Sequence, residues 1–125
     1  MPDYQFWNED AKLVVPLGEY PVGEQVSDLL WPELGTWENF QINVWVREAT
    51  GTDPQWVSLL ETSDDNGDTW SEVPGSRATV TTIPGSGSSN AQAPPNSLVR
   101  VRTIISGSDV TVTGRAYVLV TPPLG

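Results

Sequence analysis

The side chains that could do chemistry are concentrated in one acidic segment near the middle of the chain. Asp64, Asn66 and Asp68 alternate there with the spacing of the first oxygen ligands of an EF-hand calcium loop. Gly67, however, takes the fourth position of that pattern instead of the sixth, and Gly75 stands where the loop needs a bidentate Glu. The spacing therefore favours a solvated turn over a calcium site, and we predict no metal site and no cofactor.

Catalysis has few other residues to draw on. The chain of 125 residues contains no histidine and no cysteine, and Lys12 is its only lysine. These absences remove the usual general base, thiol nucleophiles, disulfides and the commonest transition-metal ligands. With sixteen acids in the chain, carboxylate pairs for glycoside hydrolysis arise by chance among Glu9, Asp10, Glu33, Glu38 and Glu61. We therefore expect a protein that is not an enzyme.

Three side chains predict a binding surface. Trp45 lies on the polar face of its predicted strand, where it could stack on a sugar ring, cover the edge of the core or lie in a subunit interface. Arg100 and Arg102 share the outer face of another predicted strand and are suited to carboxylates of a further strand or subunit. We assign all three to an interface. A carbohydrate-binding surface, with Trp45 or Trp56 as its platform, is the alternative.

The charge balance limits the partners. Six basic residues against sixteen acidic ones give a formal net charge of −10. Such a chain lacks the basic stripe that nucleic-acid binding needs, and anionic membrane surfaces repel it. The apolar runs are too short to span a bilayer, and the first residues lack the features of a signal peptide. We expect no nucleic acid, no membrane and a cytoplasmic site of synthesis.

Short alternating segments must position these side chains. Residues 40–47 and 98–105 alternate apolar and polar residues with period two, which indicates half-buried strands. Turn residues cluster at 50–54 and 106–109, and the second cluster predicts a hairpin between 98–105 and 110–121. Strands of this kind, separated by frequent turn signals, predict an all-β protein: an antiparallel β-sandwich or jelly roll of about seven or eight strands.

Two segments are less regular. Residues 1–24 contain too many prolines and glycines for a long helix. They also carry four aromatic residues, Tyr4, Phe6, Trp7 and Tyr20. We interpret them as an extended N-terminal arm with these aromatics as interface anchors, an N-terminal strand being the alternative. Residues 25–125 then form the sandwich domain, in which 84–97 are predicted to be a flexible surface loop. Gly114 indicates a bulge or close approach.

Residues 63–70, Ser-Asp-Asp-Asn-Gly-Asp-Thr-Trp, resemble the Asp-box motif of sialidases and many other β proteins. In that family the motif stabilises a hairpin. The resemblance implies that Asp65 caps turn amides, Gly67 takes a positive φ and Trp70 covers the edge of the core. In propeller enzymes the motif recurs several times and lies away from the catalytic site, whereas here it occurs once. It therefore implies a structural hairpin and says little about activity.

Residues 38–121 resemble the small β-sandwich decoration, or cement, proteins on the capsids of tailed bacteriophages. The resemblance lies in a strand at 40–46, a second strand at 56–65 ending in Ser-Asp-Asp, and a final Ser-Gly turn before a Val/Thr-rich strand. It implies a homotrimer on the capsid surface of the virion, assembled in the host cytoplasm, that binds the major capsid protein and stabilises its lattice. The aromatic arm departs from the family and implies added clamping. A carbohydrate-binding or host-adhesion module is the alternative function.

Overall fold

The computed structural model describes residues 11–30, 38–93 and 97–121, which form seven antiparallel β-strands and no helix. The strands are β1 (Ala11–Pro21), β2 (Gly23–Val26), β3 (Glu38–Ser63), β4 (Ser71–Glu72), β5 (Ala78–Val80), β6 (Gly85–Ala93) and β7 (Leu98–Thr121). The predicted all-β antiparallel class is confirmed. In this part of the chain, no helix is long and apolar enough to cross a membrane.

Two long strands organise the sandwich. β3 and β7 pair antiparallel along almost their whole length, from Asn39 opposite Thr121 to Ser63 opposite Leu98. β1 and then β2 continue along the free side of β7, whereas β6, β5 and β4 pair with the other side of β3. The ribbon folds over at a shared corner, where strands pass from one layer to the other through bends. Each layer therefore contains one half of β3 and one half of β7.

The sequence predicted turns at 50–54 and 106–109, and in the structure both segments are bends within the long strands β3 and β7. Left-handed backbone angles at Gly51 and Asp53 bend β3, and those at Gly107 and Asp109 bend β7 opposite it. The predicted hairpin between 98–105 and 110–121 is therefore wrong, because both segments belong to β7. They pair with β3 on either side of the bend and do not pair with each other.

The two layers enclose a single apolar core. The alternation predicted for 40–47 and 98–105 sends every second side chain inward, and the buried apolar members are Phe40, Ile42, Val44, Val46, Val99, Val101 and Ile105. Trp56 is fully buried among them, and its indole N–H donates to the Ser58 hydroxyl at 2.9 Å. That hydroxyl also shares a 2.8 Å hydrogen bond with Thr103. Among the described residues, no buried side-chain nitrogen or oxygen lacks a hydrogen-bond partner.

The segment predicted as a flexible loop at 84–97 is mostly a strand. β6 pairs with β3 over nine consecutive residues, from Gly85 opposite Val46 to Ala93 opposite Glu38. Small residues permit this arrangement, since a Cβ on Gly87 would lie 2.6 Å from the backbone oxygen of Thr79. The low strand propensity of glycine and serine is thus overridden by the need for close backbone approach.

The sandwich also takes up much of the predicted N-terminal arm. Residues 11–21 and 23–26 pair with β7 as β1 and β2, so this part of the predicted arm belongs to the sheet. Frequent prolines did not prevent strand formation, because β1 is an edge strand whose Pro16 falls at a register shift. The N-terminal strand weighed as the alternative is what the structure contains at 11–26.

Gly114 of β7 lies between Val46 of β3 and Gly18 of β1. The register shifts opposite it on both neighbours, between Val46 and Glu48 in β3 and between Val15 and Gly18 in β1. A Cβ at Gly114 would lie 2.6 Å from the Trp45 backbone oxygen and 3.1 Å from Cζ3 of Trp56. The glycine therefore lets the largest core side chain fit beneath β7.

Candidate functional site

Exposed apolar side chains are concentrated along the N-terminal edge of the sandwich. Of the six large hydrophobic residues exposed in the described part of the chain, five lie between residues 13 and 29. They are Leu13, Leu17, Val22, Val26 and Leu29, which we call the N-terminal edge. Leu17 and Val26 are 50% and 51% exposed. Because β1 and β2 pair only with β7 among the described strands, this edge also offers unpaired backbone groups.

The two layers meet at this edge. Leu13 of β1 and Leu29, which follows β2, line one cleft of about 170 Å³ together with Lys12 and Ser27. Ser27 ties its segment to β7, because its backbone N–H donates to the Val101 carbonyl at 2.8 Å. Leu29, two residues further on, therefore follows a segment that is hydrogen-bonded to β7. The chain enters β1 at Ala11, next to this cleft.

Tyr20 packs within its own sandwich. Its hydroxyl donates to the Pro16 carbonyl at 2.5 Å, across the bulged part of β1. Its ring meets the Trp56 ring edge-on, with centroids 5.8 Å apart and planes at 88°. Burial raises the pKa of Tyr20. The residue predicted as an arm anchor thus secures β1 to the core, whereas Tyr4, Phe6 and Trp7 lie outside the described residues.

Arg100 and Arg102 are engaged by carboxylates of their own chain. Arg100 Nε donates to Oε1 of Glu61 at 2.8 Å, and Glu61 itself is only 5% exposed. Arg102 Nε donates to Glu24 at 2.8 Å, and this pair holds β2 against β7. The guanidinium bonds to Glu24, with some attraction from Glu61, raise the pKa of Arg102. Both arginines therefore stabilise the outer face of their layer.

The Asp-box segment forms a tight loop between β3 and β4. Asp65 Oδ1 accepts from the Thr69 N–H at 2.8 Å and from the Ser63 hydroxyl at 2.7 Å. Gly67 has a φ of 94°, and its carbonyl accepts from the Trp70 indole at 3.2 Å. The hydrogen bonds from the Thr69 hydroxyl and amide, followed by that from Ser63, lower the pKa of Asp65 to about 2. The carboxylate is thus committed to the loop.

Trp45 lies on the outer face of the other layer, where three strands form a shallow groove. β7, β3 and β6 present cross-strand rows here, in which Trp45 faces Arg115 on one side and Ser86 on the other. In the next row Asn43 lies between Tyr117 and Ser88. The groove has a volume of about 570 Å³. The sequence predicted Trp45 as a surface residue. It did not single out Arg115 or Tyr117, although their alternation with buried Ala116 and Val118 marks both as outward-facing.

The chain is thus an antiparallel β-sandwich with two candidate surfaces, the N-terminal edge and the groove around Trp45. No protein-family model matches the chain, and no curated protein matches it significantly. A chain in the structure of infectious bursal disease virus, Gx strain, is similar with a TM-score of 0.61 and 7% identity. The match covers 90% of this chain and only 31% of that one.

Carbohydrate-binding modules are also similar in fold. TmCBM61 in complex with β-1,4-galactotriose has a TM-score of 0.47 and 8% identity, covering 94% of this chain and 85% of that one. A xylan-binding domain from CBM 22 has a TM-score of 0.48 and 11% identity, covering 92% and 85%. At 7% identity, the similarity to the viral chain shows the β-sandwich fold and nothing finer.

Proposed function

We propose that the protein is a non-catalytic decoration, or cement, protein of a tailed bacteriophage. In this proposal it is assembled in the host cytoplasm as a homotrimer and binds the major capsid protein lattice on the virion surface. The contact is made by the N-terminal edge together with residues 1–10. The observation that carries the proposal is that, among the described residues, five of the six large hydrophobic side chains that are exposed lie on that edge.

An apolar edge on a strongly charged protein favours a protein partner. With a net charge of −10, the protein stays soluble through its acidic surface, while the edge offers area that loses water on binding. Removing apolar area from water stabilises a complex by about 25 cal/mol per Å². Leu13 and Leu17 are each about half exposed, so a partner that covers them gains stability from both.

The aromatic residues of the N-terminal segment lie close to this edge in sequence. Tyr4, Phe6 and Trp7 precede β1 by only a few residues. At about 3.3–3.6 Å per extended residue, that length keeps them within reach of the cleft at Leu13 and Leu29. Aromatic residues are enriched in interface cores. This proximity supports one continuous contact made by edge and segment.

The carboxylates with assigned contacts support a structural role. Glu61 and Glu24 pair with Arg100 and Arg102, and Asp65 caps its own loop. A catalytic carboxylate pair needs one acid free to give a proton and another free to attack or to activate water. These three acids are instead held by guanidinium or backbone groups, which supports a protein that works by binding alone.

A protein that binds only the assembled lattice stabilises that state by mass action. The test first asks whether a major capsid protein is encoded beside this chain, and then uses capsids assembled from that protein. Saturable co-sedimentation, a rise in capsid melting temperature with added protein, and a trimer mass by light scattering are expected. Protein that stays in the supernatant at concentrations of about 10 μM would reject the proposal.

A further inference from the structure

The groove around Trp45 differs from the rest of the surface in its charge. None of the described residues that line it is an aspartate or a glutamate, although the chain has sixteen acids. Arg115 supplies the only formal charge in this lining. The groove is thus a surface without acidic residues on an otherwise acidic protein.

Within the described part of the chain, Arg115 is not committed to a carboxylate. Arg77, Arg100 and Arg102 each form an ion pair with a glutamate, but Arg115 forms none with the residues that the structure describes. Its guanidinium carbon lies 5.8 Å from the centroid of the Trp45 ring, which is its cross-strand partner. A guanidinium presents a planar fork of donors suited to a carboxylate. The geometry of the groove therefore offers an acid-binding group beside an aromatic ring.

The shape of the groove follows from the strand sequences. Trp45 and Tyr117 are tall side chains, while Ser86 and Ser88 on β6 are short, so the outer face is depressed along β6. The side-chain amide nitrogen of Asn43 donates to Gln41 Oε1 at 3.3 Å, and this bond orients the Asn43 carboxamide in the groove. The volume of about 570 Å³ lies in the usual range for small-molecule sites, roughly 300–1,000 Å³.

The geometry points to a binding site for a short saccharide that carries a carboxylate. In this site Trp45 lies against the apolar face of a sugar ring, because an indole combines a broad apolar surface with little conformational freedom. Arg115 pairs with the sugar carboxylate, and Asn43, Ser86 and Ser88 supply hydroxyl and amide groups that donate and accept hydrogen bonds to sugar hydroxyls. A polyphosphate chain is disfavoured, because Arg115 is the one basic residue in the groove lining and cannot neutralise a run of phosphates. The site is independent of the N-terminal edge.

The probes are two pairs of oligosaccharides, measured by titration calorimetry with the full chain. Sialyllactose is compared with lactose, and trigalacturonate with its fully methyl-esterified form, so that each pair differs chiefly in the carboxylate. We expect at least one acidic member to bind, and its neutral counterpart to bind about tenfold or more weakly, because the guanidinium bond is lost. Uridine monophosphate serves as an anion with a flat ring and is expected not to bind.

Two variants and one matched control complete the test. Trp45→Ala and Arg115→Gln should each weaken binding of the acidic sugar about tenfold or more. Arg47→Gln removes an exposed guanidinium two residues from Trp45 and outside the groove lining, and it should leave binding unchanged. Unchanged circular dichroism and urea midpoints show that the variants fold. The site is rejected if no acidic sugar binds at about 10 mM. It is also rejected if the acidic and neutral members of each pair bind equally, or if the nucleotide binds as tightly as the acidic sugar. Variants that both bind the acidic sugar like wild type would reject it as well.

Discussion

The guanidinium carbon of Arg100 lies 4.0 Å from the centre of the Trp70 ring. This contact joins β7 to the end of the Asp-box loop, and the same guanidinium donates to Glu61 of β3. One side chain thus connects three parts of the layer. Glu61 is nearly buried, and therefore its pairing matters more than that of a surface carboxylate.

Arg100→Lys should lower the free energy of unfolding by about 1–2 kcal/mol, because lysine cannot both donate from a planar fork and cover the indole. Urea unfolding followed by tryptophan fluorescence measures the change. Arg77→Lys is the matched control, since its pair with Glu72 is exposed and should leave the urea midpoint unchanged. Equal shifts in both variants would contradict a special role for Arg100.

The Asp65 carboxylate should make stability depend on pH. Its pKa is about 2 in the folded protein against an ordinary value of 3.8, chiefly because the Thr69 hydroxyl and amide donate to it. A lowered folded pKa stabilises the protein above the ordinary value, and that contribution is lost as pH falls towards about 2. Asp65→Asn should therefore be less stable than wild type at neutral pH, with the difference narrowing below about pH 4.

Asp64→Asn is the control for this measurement, because it removes one acid from the same loop outside the Asp65 hydrogen bonds. Urea midpoints of the three proteins are compared across the acid range. A gap between wild type and Asp65→Asn that stays constant with pH, or one matched by Asp64→Asn, would contradict the assignment.

Gly114→Ala should destabilise the sandwich by about 2 kcal/mol, because the added methyl group has no space between the Trp45 carbonyl and Trp56. Gly18→Ala is the matched control on the neighbouring strand, where the nearest atom is the Tyr20 hydroxyl at 3.5 Å. That variant should change stability by less than about 0.5 kcal/mol. Thermal unfolding distinguishes the two, and a Gly114 variant as stable as wild type would show that β7 can shift.

Strand faces were predictable from the sequence, but the connections between strands were not. The alternation at 40–47 and 98–105 sorts inward from outward side chains by period alone. Gly107 and Asp109, by contrast, have the chemistry of a hairpin turn and serve in a bend. Local residues cannot distinguish the two outcomes, because pairing with the distant Thr52 and Gln55 decides between them.

The candidate surfaces were predictable in part. Trp45 stood out as an aromatic residue among polar neighbours, and the structure adds Arg115 and Tyr117 beside it through cross-strand pairing. Pairing partners depend on register, which a single strand does not encode. At the N-terminus, the prolines and aromatic residues predicted an extended arm. The exposed aliphatic residues Leu13 and Leu17 became visible only once β1 was placed at the edge of the sheet.

The measurement that bears most directly on the proposed function is co-sedimentation of a Leu13→Ser, Leu17→Ser double variant with the capsids described above. Both side chains are about half exposed, so the variant should fold like wild type while losing apolar contact area. We expect its capsid affinity to fall about tenfold or more, and that of Trp45→Ala, outside the N-terminal edge, to stay unchanged. A double variant that binds capsids like wild type would contradict the account.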